Sequence, residues 1–162
     1  REVANIGVVE AVNFNAPAQV VIAGEAEAVQ AAMKNATDKG AKRALILPVS
    51  VPAHSSLMRP AAAQLADALE AIEFHQPLIP VVQNVAACVE ADSKAMRQAL
   101  VSQLYSPVKW VGTVEWLAAQ DVTRVIECGP GKVLCGLNKR ISKGLTCESL
   151  ESSNSLEAAL AV

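Results

Sequence analysis

Two apolar runs rich in β-branched residues, 6–14 and 19–23, stand near the start of the chain with Asn15-Ala16-Pro17-Ala18 between them. Runs of this length and composition favour strands, and asparagine with proline favours a tight turn. The two runs are therefore predicted to pair as an antiparallel hairpin. Its place at the start of a strand, strand, helix, strand order limits the folds that the first part of the chain can adopt.

The next two segments complete that order. Residues 25–39 place alanines at helical spacing and stop at Gly40, which predicts a helix with a glycine C-terminus. Residues 44–49 form an apolar run that predicts a strand. The order is three quarters of a split βαββαβ, or ferredoxin-like, unit without its opening strand and helix. The opening strand would lie beside the strand at 44–49, so we expect residues upstream of Arg1 to belong to the native fold.

From Ser55 onward, helical periodicities alternate with short apolar runs, which predicts an α/β arrangement with parallel strand pairing. The subdomain boundaries are accordingly predicted as 1–54 and 55–162. Local signals mark several elements of the second part: Pro60 in the first turn of a helix, Asp92 as a helix N-cap, Ser106-Pro107 as a helix end, 80–85 and 124–128 as strands, and Gly129-Pro130-Gly131 as a turn into a further helix.

Composition narrows the functions that are open to the chain. Its 162 residues are 52% hydrophobic with a formal net charge of −2, which gives no sign of a nucleic-acid partner. No apolar run approaches the roughly 18 residues of a membrane helix, and the first residues lack the apolar region of a signal peptide, so a cytoplasmic location is expected. Four cysteines without Cys-x-x-Cys spacing predict reduced thiols and no metal site: Cys88, Cys128, Cys135 and Cys147.

The segment Ser50-Val51-Pro52-Ala53-His54-Ser55-Ser56 places one of only two histidines in a turn directly after the predicted strand at 44–49. A neutral imidazole can take a proton from a weak nucleophile near physiological pH and later return it to a leaving group. No nucleophile accompanies it, because Ser55 and Ser56 are expected to cap the following helix and neither lies in a Gly-x-Ser-x-Gly elbow. His54 is therefore predicted to be a base whose partner lies elsewhere.

The turn Gly129-Pro130-Gly131-Lys132 precedes a predicted helix, and backbone amides at such a position can hold an anion. It lacks the Gly-x-x-x-x-Gly-Lys-Ser/Thr spacing of a phosphate loop, and Leu134 stands where a magnesium-binding hydroxyl is needed. The sequence favours a structural strand-to-helix turn over a nucleotide site.

Four motifs, taken in order, resemble the family of malonyl-CoA:acyl carrier protein transacylases of bacterial type II fatty acid synthesis: VNFNAPAQVVIAG (12–24), LPVSVPAHS (47–55), QLYSPVKW (103–110) and ECGPGKVL (127–134). The resemblance covers essentially the whole chain but only about the C-terminal half of the family's length. It implies a partial ferredoxin-like small subdomain over 1–54, followed by the C-terminal part of an α/β-hydrolase-like acyltransferase domain over 55–162.

The same resemblance implies roles for residues near the histidine. His54 matches the catalytic histidine that activates a serine for attack on the malonyl thioester. Gln103 matches the glutamine whose backbone carbonyl accepts a hydrogen bond from that imidazole and sets its tautomer, where a serine protease would use an aspartate. Val51 and Ala53 correspond to positions that vary with acyl-group choice, so they are expected to line the acyl pocket.

Two further pairs of residues match functional positions of the family, and each pair also has a purely structural explanation. Asn13 and Asn15 correspond to asparagines near the active-site cleft, and they serve equally well as turn residues of the hairpin. Lys139 and Arg140 correspond to cations near the mouth of the cleft and are our candidates for docking the acidic acyl carrier protein. Cations in a last helical turn also complement the helix dipole, which explains the pair equally well.

The family's nucleophilic serine, oxyanion-hole donors and malonyl-binding arginine all lie upstream of this chain, so the chain alone is predicted to be inactive. The expected partners are malonyl-CoA, acyl carrier protein and the missing N-terminal half, with no permanently bound cofactor. The alternative is a non-catalytic remnant that binds acyl carrier protein or CoA. The arginines of this chain are expected to be solvated or snorkelling surface charges rather than the malonyl ligand: Arg43, Arg59, Arg97, Arg124 and Arg140.

Overall fold

The computed structural model describes residues 5–161, which form a mixed α/β arrangement of six helices and three two-stranded sheets. In chain order the elements are β1 (Val9–Ala16), β2 (Gln19–Gly24), α1 (Ala26–Asp38), α2 (Arg59–Glu70), β3 (Val82–Gln83), β4 (Cys88–Val89), α3 (Ser93–Ser102), α4 (Trp110–Ala119), β5 (Arg124–Cys128), α5 (Val133–Ile141), β6 (Thr146–Leu150) and α6 (Ser153–Leu160). The α/β class is confirmed at this level. Over the same residues, no helix combines the length and apolar character that a membrane span requires.

The predicted hairpin is present as β1 and β2, which pair antiparallel with Ala16 opposite Gln19 at the turn. Two register shifts interrupt the ladder, one at Val12 and one at Asn15. An extra residue in one strand bends it and changes the face on which the next side chains lie. Val12 and Ala16 are buried, whereas Phe14 between them is 39% exposed. The helix predicted after the hairpin is also present, as α1.

The strand predicted at 44–49 is wrong, because residues 41–50 form no regular secondary structure. Large apolar side chains in this segment are exposed: Leu45 by 58%, Ile46 by 63% and Val49 by 68%. A strand is held by backbone hydrogen bonds to a neighbouring strand, and none among residues 5–161 pairs with this segment. Apolar composition alone therefore does not make this segment a strand.

Local signals in the second part predict its helices well. Pro60 lies in the first turn of α2, and the Asp92 side chain caps α3 by accepting a hydrogen bond from Ala95 N at 2.8 Å. α4, α5 and β5 also form where the sequence predicts them. The strand predicted at 80–85 shortens to β3, because its one partner, the two-residue β4, offers no longer ladder.

The parallel pairing expected in this part is present between β5 and β6, which run in register with Arg124 opposite Thr146. α5 connects them, as a parallel pair requires a crossover. The sequence made no prediction for β6 or α6. α6 begins with a capping box in which Ser152 and Ser155 exchange hydrogen bonds between side chain and backbone.

The expectation of reduced thiols is wrong for two of the four cysteines. The structure pairs Cys135 with Cys147 in a disulfide, whereas Cys88 and Cys128 are free. α5 packs against β6, which brings the two Cα atoms to 5.1 Å, a separation that a disulfide spans. The twelve-residue separation of the two cysteines carries no spacing signal of this contact.

The two predicted parts of the chain pack directly on each other, since β1 contacts both α4 and α5. Val12 from β1 and Val114 from α4 are among the most buried side chains. The buried Asn138 of α5 accepts a hydrogen bond from Trp110 Nε1 at 3.1 Å. Because a buried polar group is costly without a partner, this bond fixes α5 against the start of α4.

Candidate active site

His54 lies in a turn between the unpaired segment and α2, and its backbone is in the left-handed region with φ of 66°. This conformation costs a residue with a side chain about 1–3 kcal/mol and persists only where surrounding bonds enforce it. Here the His54 amide donates to Leu104 O at 2.9 Å, and the buried Ser55 hydroxyl donates to Pro52 O at 2.6 Å. The expected capping by Ser55 is wrong, since its hydroxyl closes the turn instead of capping the next helix.

The imidazole of His54 makes one hydrogen bond that defines its chemistry. Its Nδ1 lies 2.6 Å from the backbone oxygen of Gln103. A carbonyl oxygen can only accept, so in the neutral ring Nδ1 carries the proton and Nε2 is the acceptor. The arrangement therefore presents a base, held in one tautomer by a main-chain group.

The loop that carries Gln103 is itself attached to β1. The Val108 amide donates to Val12 O, and the Phe14 amide donates to Val108 O, both at 2.9 Å. These bonds make a short parallel bridge between Val108 and Asn13. The bridge holds the loop that carries Gln103 against the hairpin. There this loop contacts the turn that carries His54.

The predicted acyl-pocket residues flank this junction. Val51 is half exposed and Ala53 is partly buried directly before His54, and the Ala53 amide donates to Val51 O at 2.8 Å. Asn13 and Asn15 lie on β1, the first at the bridge and the second at a register shift. Bulges often re-aim side chains beside active sites. Substrate contact by these four residues stays a prediction.

Lys139 and Arg140 are exposed in the last turn of α5, as the sequence predicts. Arg140 Nη1 donates a hydrogen bond to the side-chain oxygen of Gln19, at the start of β2. The bond joins the C-terminal end of α5 to the hairpin. It therefore places the cationic pair beside the hairpin, whose other strand, β1, anchors the site.

The glycine-rich turn before α5 is structural. Gly131 has φ of 88°, which favours glycine. The carboxylate of Glu127 accepts from Leu134 N at 3.0 Å and from Cys135 N at 2.8 Å. These are amides of the first turn of α5, and a side chain of the protein already satisfies them. That capping supports the structural interpretation of the turn over an anion site.

The arginines are more engaged than expected. Four of the five have protein partners: Arg59 lies 4.4 Å from the Tyr105 ring centroid, Arg97 donates to Ile72 O at 2.8 Å, Arg124 makes two 3.1 Å hydrogen bonds to Glu148, and Arg140 bonds Gln19. Arg43 is exposed. Arg43, Arg59 and Arg140 are exposed, in agreement with the expectation of surface charges, whereas Arg97 and Arg124 are partly buried and held by the partners just named.

Sequence reasoning missed two acidic residues that hold local structure, one at the turn after His54 and one at the start of α5. Glu10 Oε2 accepts from Ser56 N at 2.6 Å, and Glu127 caps α5. Glu127 precedes a glycine turn and a helix, which is a usable capping signal. Glu10 has no such signal, since its acceptor role joins residues 46 positions apart.

Comparison with known proteins identifies close relatives. No protein-family model matches the chain. A curated malonyl CoA-acyl carrier protein transacylase of Salmonella typhimurium is 55% identical over 153 residues, which are 94% of this chain and 50% of that protein. The crystal structure of such a transacylase from Xanthomonas oryzae matches with a TM-score of 0.95 at 51% identity, over 99% of this chain and 51% of that one.

A further relative was solved with a partner. A malonyl-transacylase in complex with a type II PKS acyl carrier protein matches with a TM-score of 0.96 at 52% identity, over 99% of this chain and 52% of that one. The chain thus spans about half the length of the relatives it matches, and it corresponds to their C-terminal half.

Proposed function

This chain belongs to the malonyl-CoA:acyl carrier protein transacylase family, of whose members it covers the C-terminal half, and on that premise we propose its function. The whole protein transfers malonyl from coenzyme A to the phosphopantetheine thiol of an acyl carrier protein in fatty acid synthesis. This chain supplies the base, His54, and the N-terminal half supplies the nucleophilic serine. The 2.6 Å contact of His54 Nδ1 with Gln103 O is the observation that carries the proposal.

The proposed reaction has two half-reactions that use His54 in opposite directions. In the first, Nε2 takes the serine proton as the serine oxygen attacks the malonyl carbonyl, and the coenzyme A thiolate leaves with that proton. In the second, Nε2 takes the proton of the phosphopantetheine thiol, whose sulfur attacks the serine ester, and the serine oxygen leaves with the proton. No permanently bound cofactor is required, because both half-reactions are acyl transfers with proton movement only.

Gln103 contributes a neutral acceptor rather than a carboxylate. A carbonyl stabilises the imidazolium less than an aspartate does, while it still selects the tautomer. The weaker stabilisation suits an exchange between thioesters, in which the proton must be returned easily in both directions. In this proposal Val51 and Ala53 line the acyl pocket, and Asn13 and Asn15 bind substrate at the adjoining cleft.

The proposal assigns the exposed apolar segments to contact with the N-terminal half. Leu45, Ile46 and Val49 are exposed in the segment 41–50, as are Leu78 (102%) and Ile79 (77%) before β3. Contiguous apolar surface of this kind marks an interaction site. The strand at 44–49 does not form in this chain; in a complete enzyme the N-terminal half supplies its neighbour, so that the first segment joins a ferredoxin-like sheet, and the second segment belongs to the hydrolase-like sheet of 55–162.

Lys139 and Arg140 are proposed to dock the acyl carrier protein. The pair is exposed and lies next to the hairpin that Arg140 contacts through Gln19. In the complete enzyme, charge reversal of both residues to Glu should raise KM for acyl carrier protein about tenfold, with KM for malonyl-CoA unchanged and the difference shrinking at high salt. Lys94→Glu, on α3, is the matched control. Equal effects on both substrates would assign the pair to the helix dipole alone.

The central test uses the complete enzyme that contains this chain in a malonyl-transfer assay. His54→Ala should lower turnover by about 10²-fold or more, because the general base is lost. His75→Ala removes the other histidine, which is 79% exposed, and should leave turnover unchanged. Gln103→Ala should have little effect, since the bonded oxygen belongs to the main chain. Near-normal turnover of His54→Ala would overturn the assignment.

A covalent label separates the proposal from the alternative of a non-catalytic remnant. The complete enzyme should form a stable malonyl ester with radioactive malonyl-CoA, whereas the 162-residue chain alone should not. Binding of acyl carrier protein or CoA by the complete protein, without ester formation or transfer, would support the remnant. The proposed location is the cytoplasm, where acyl carrier protein and coenzyme A thioesters are the substrates of fatty acid synthesis.

A further inference from the structure

Both loops that bring His54 and Gln103 together are anchored on one strand, β1. The loop after Gln103 is held through the main chain by the two backbone bonds of Val108. The turn after His54 is held by a side chain, Glu10, which lies on the same strand. The relative position of the two loops therefore depends on one shared support.

The Glu10 carboxylate makes a short hydrogen bond to a backbone amide. Its Oε2 accepts from the amide of Ser56 at 2.6 Å, and the contact is partly buried. Ser56 is the first residue of the 3-10 turn Ser56–Met58, so its amide has no acceptor within that turn. Hydrogen bonds to a carboxylate are shorter and stronger than those between neutral groups.

The bond acts two residues after the strained position. His54 has φ of 66°, and the turn keeps this conformation only while its neighbours are fixed. Leu104 O accepts from the His54 amide and Pro52 O accepts from Ser55, and these bonds hold the turn itself. Glu10 is the second fixed point, which ties the end of the turn to β1. Without the second fixed point, the turn can relax toward an ordinary backbone conformation and carry the ring away from Gln103 O.

We propose that Glu10 is a positioning residue for His54, clamping the turn that carries the imidazole to the strand that also carries the Gln103 loop. This inference rests on the proposed function, because it treats His54 as the base. Glu10 does not touch substrate in this scheme. Its effect is on the fraction of molecules in which Nδ1 is bonded and Nε2 is correctly placed.

A positioning role has a kinetic signature. Misplacement of a base slows the chemical step for every substrate, and it leaves the surfaces that bind malonyl-CoA and acyl carrier protein unchanged. The loss is therefore expected in kcat, with both KM values close to those of the unmodified enzyme. An amide oxygen at the same position can still accept the Ser56 hydrogen bond, so glutamine should restore most of the function.

The experiment compares three variants of the complete enzyme in steady-state malonyl transfer. Glu10→Ala should lower kcat about tenfold or more, and Glu10→Gln should stay within about threefold of the unmodified enzyme, because it keeps an acceptor. Glu115→Gln, an exposed glutamate on α4, is the matched control and should change nothing. Thermal unfolding of each variant shows whether the fold survives.

A spectroscopic readout reports on the positioned imidazole directly. The proton on Nδ1, bonded to Gln103 O, should give a downfield imidazole resonance that is assigned by its loss in His54→Ala. This resonance should persist in Glu10→Gln and weaken or shift in Glu10→Ala, even if the latter unfolds at a lower temperature. An unchanged resonance and unchanged kcat in Glu10→Ala would overturn the inference.

The two proposals fail in different ways. If the unmodified enzyme transfers no malonyl, or His54→Ala is fully active, the proposed function fails. If His54→Ala is inactive while Glu10→Ala is as active as the unmodified enzyme, the function stands and the role of Glu10 is refuted. A loss in Glu10→Gln as large as that in Glu10→Ala would also refute it, because it would show a need for the charge rather than for the hydrogen bond.

Discussion

The segment 41–50 is richer in apolar residues than the region 124–160, and yet the region is ordered by its own contacts while the segment has no regular structure and is exposed. In the region 124–160, β5 pairs with β6, which lies some twenty residues further along the chain. The Glu127 cap of α5, the Arg124–Glu148 hydrogen bonds and the Cys135–Cys147 disulfide add further bonds inside the region. The segment 41–50 has no ladder partner among residues 5–161. Regular structure here depends on whether the partner is supplied within the chain.

Amide hydrogen exchange should show the largest difference between these two regions. In the isolated chain, amides of β5 and β6 should exchange at least about 100-fold more slowly than those of 41–50, because only the former are bonded in a ladder. In the complete enzyme the amides of 44–49 should become protected as well. Exchange measured by mass spectrometry tests this, and protection of 44–49 in the isolated chain would contradict the comparison.

Glu127 offers a way to weaken the ordered region from within. Glu127→Ala leaves the amides of Leu134 and Cys135 without their acceptor, which should lower the free energy of unfolding by about 1–2 kcal/mol. Glu127→Gln retains an acceptor oxygen and should cost less. Urea unfolding of the complete enzyme measures both, with Glu115→Ala as a surface control. Equal stability of all three variants would show that the cap contributes nothing.

The smallest effect concerns the Arg124–Glu148 pair that joins β5 to β6. The side-chain hydrogen bond from Arg124, more than the Coulomb attraction, lowers the pKa of the Glu148 carboxyl from its usual range. A lowered pKa contributes stability above the unfolded pKa of about 4.3, and that contribution is lost as pH falls through the folded value.

Glu148→Gln should therefore lower Tm slightly at neutral pH, and the difference from the unmodified protein should vanish at acid pH. Both side chains are partly exposed, so the effect is small and should shrink with added salt. Tm measured against pH for both proteins checks the sign. A difference that grows as pH falls would be inconsistent with the lowered pKa.

The same contrast explains which predictions from sequence were right. The hairpin, the Asp92 cap of α3, the proline in the first turn of α2 and the glycine turn before α5 all depend on residues close together along the chain. The strand at 44–49 and the free state of Cys135 and Cys147 depend on distant partners, and both predictions were wrong. Residues close together along the chain predict caps and turns. Strand pairing and disulfide formation depend on a distant partner that the local sequence does not reveal.

For the candidate site, the sequence likewise identified residues but not most of their contacts. The His54 turn, Gln103 and the cationic pair Lys139 and Arg140 were identified from motifs and from a family resemblance, without knowledge of their contacts. The resemblance implied a bond between His54 and the main chain of Gln103, and the structure has that contact at 2.6 Å. The catalytic, pocket and docking roles stay predictions that the experiments above address.

Periodicity, capping residues and turn residues are enough to specify the helices, the hairpin and the strand-to-helix turn, because each is stabilised by bonds within a few residues. The folded chain alone decides that Glu10 meets Ser56, that Val108 bridges to β1 and that Arg140 reaches Gln19. These contacts join residues 46, 95 and 121 positions apart. No pattern along the chain encodes such a distance, because it arises only when packed elements bring the two groups together.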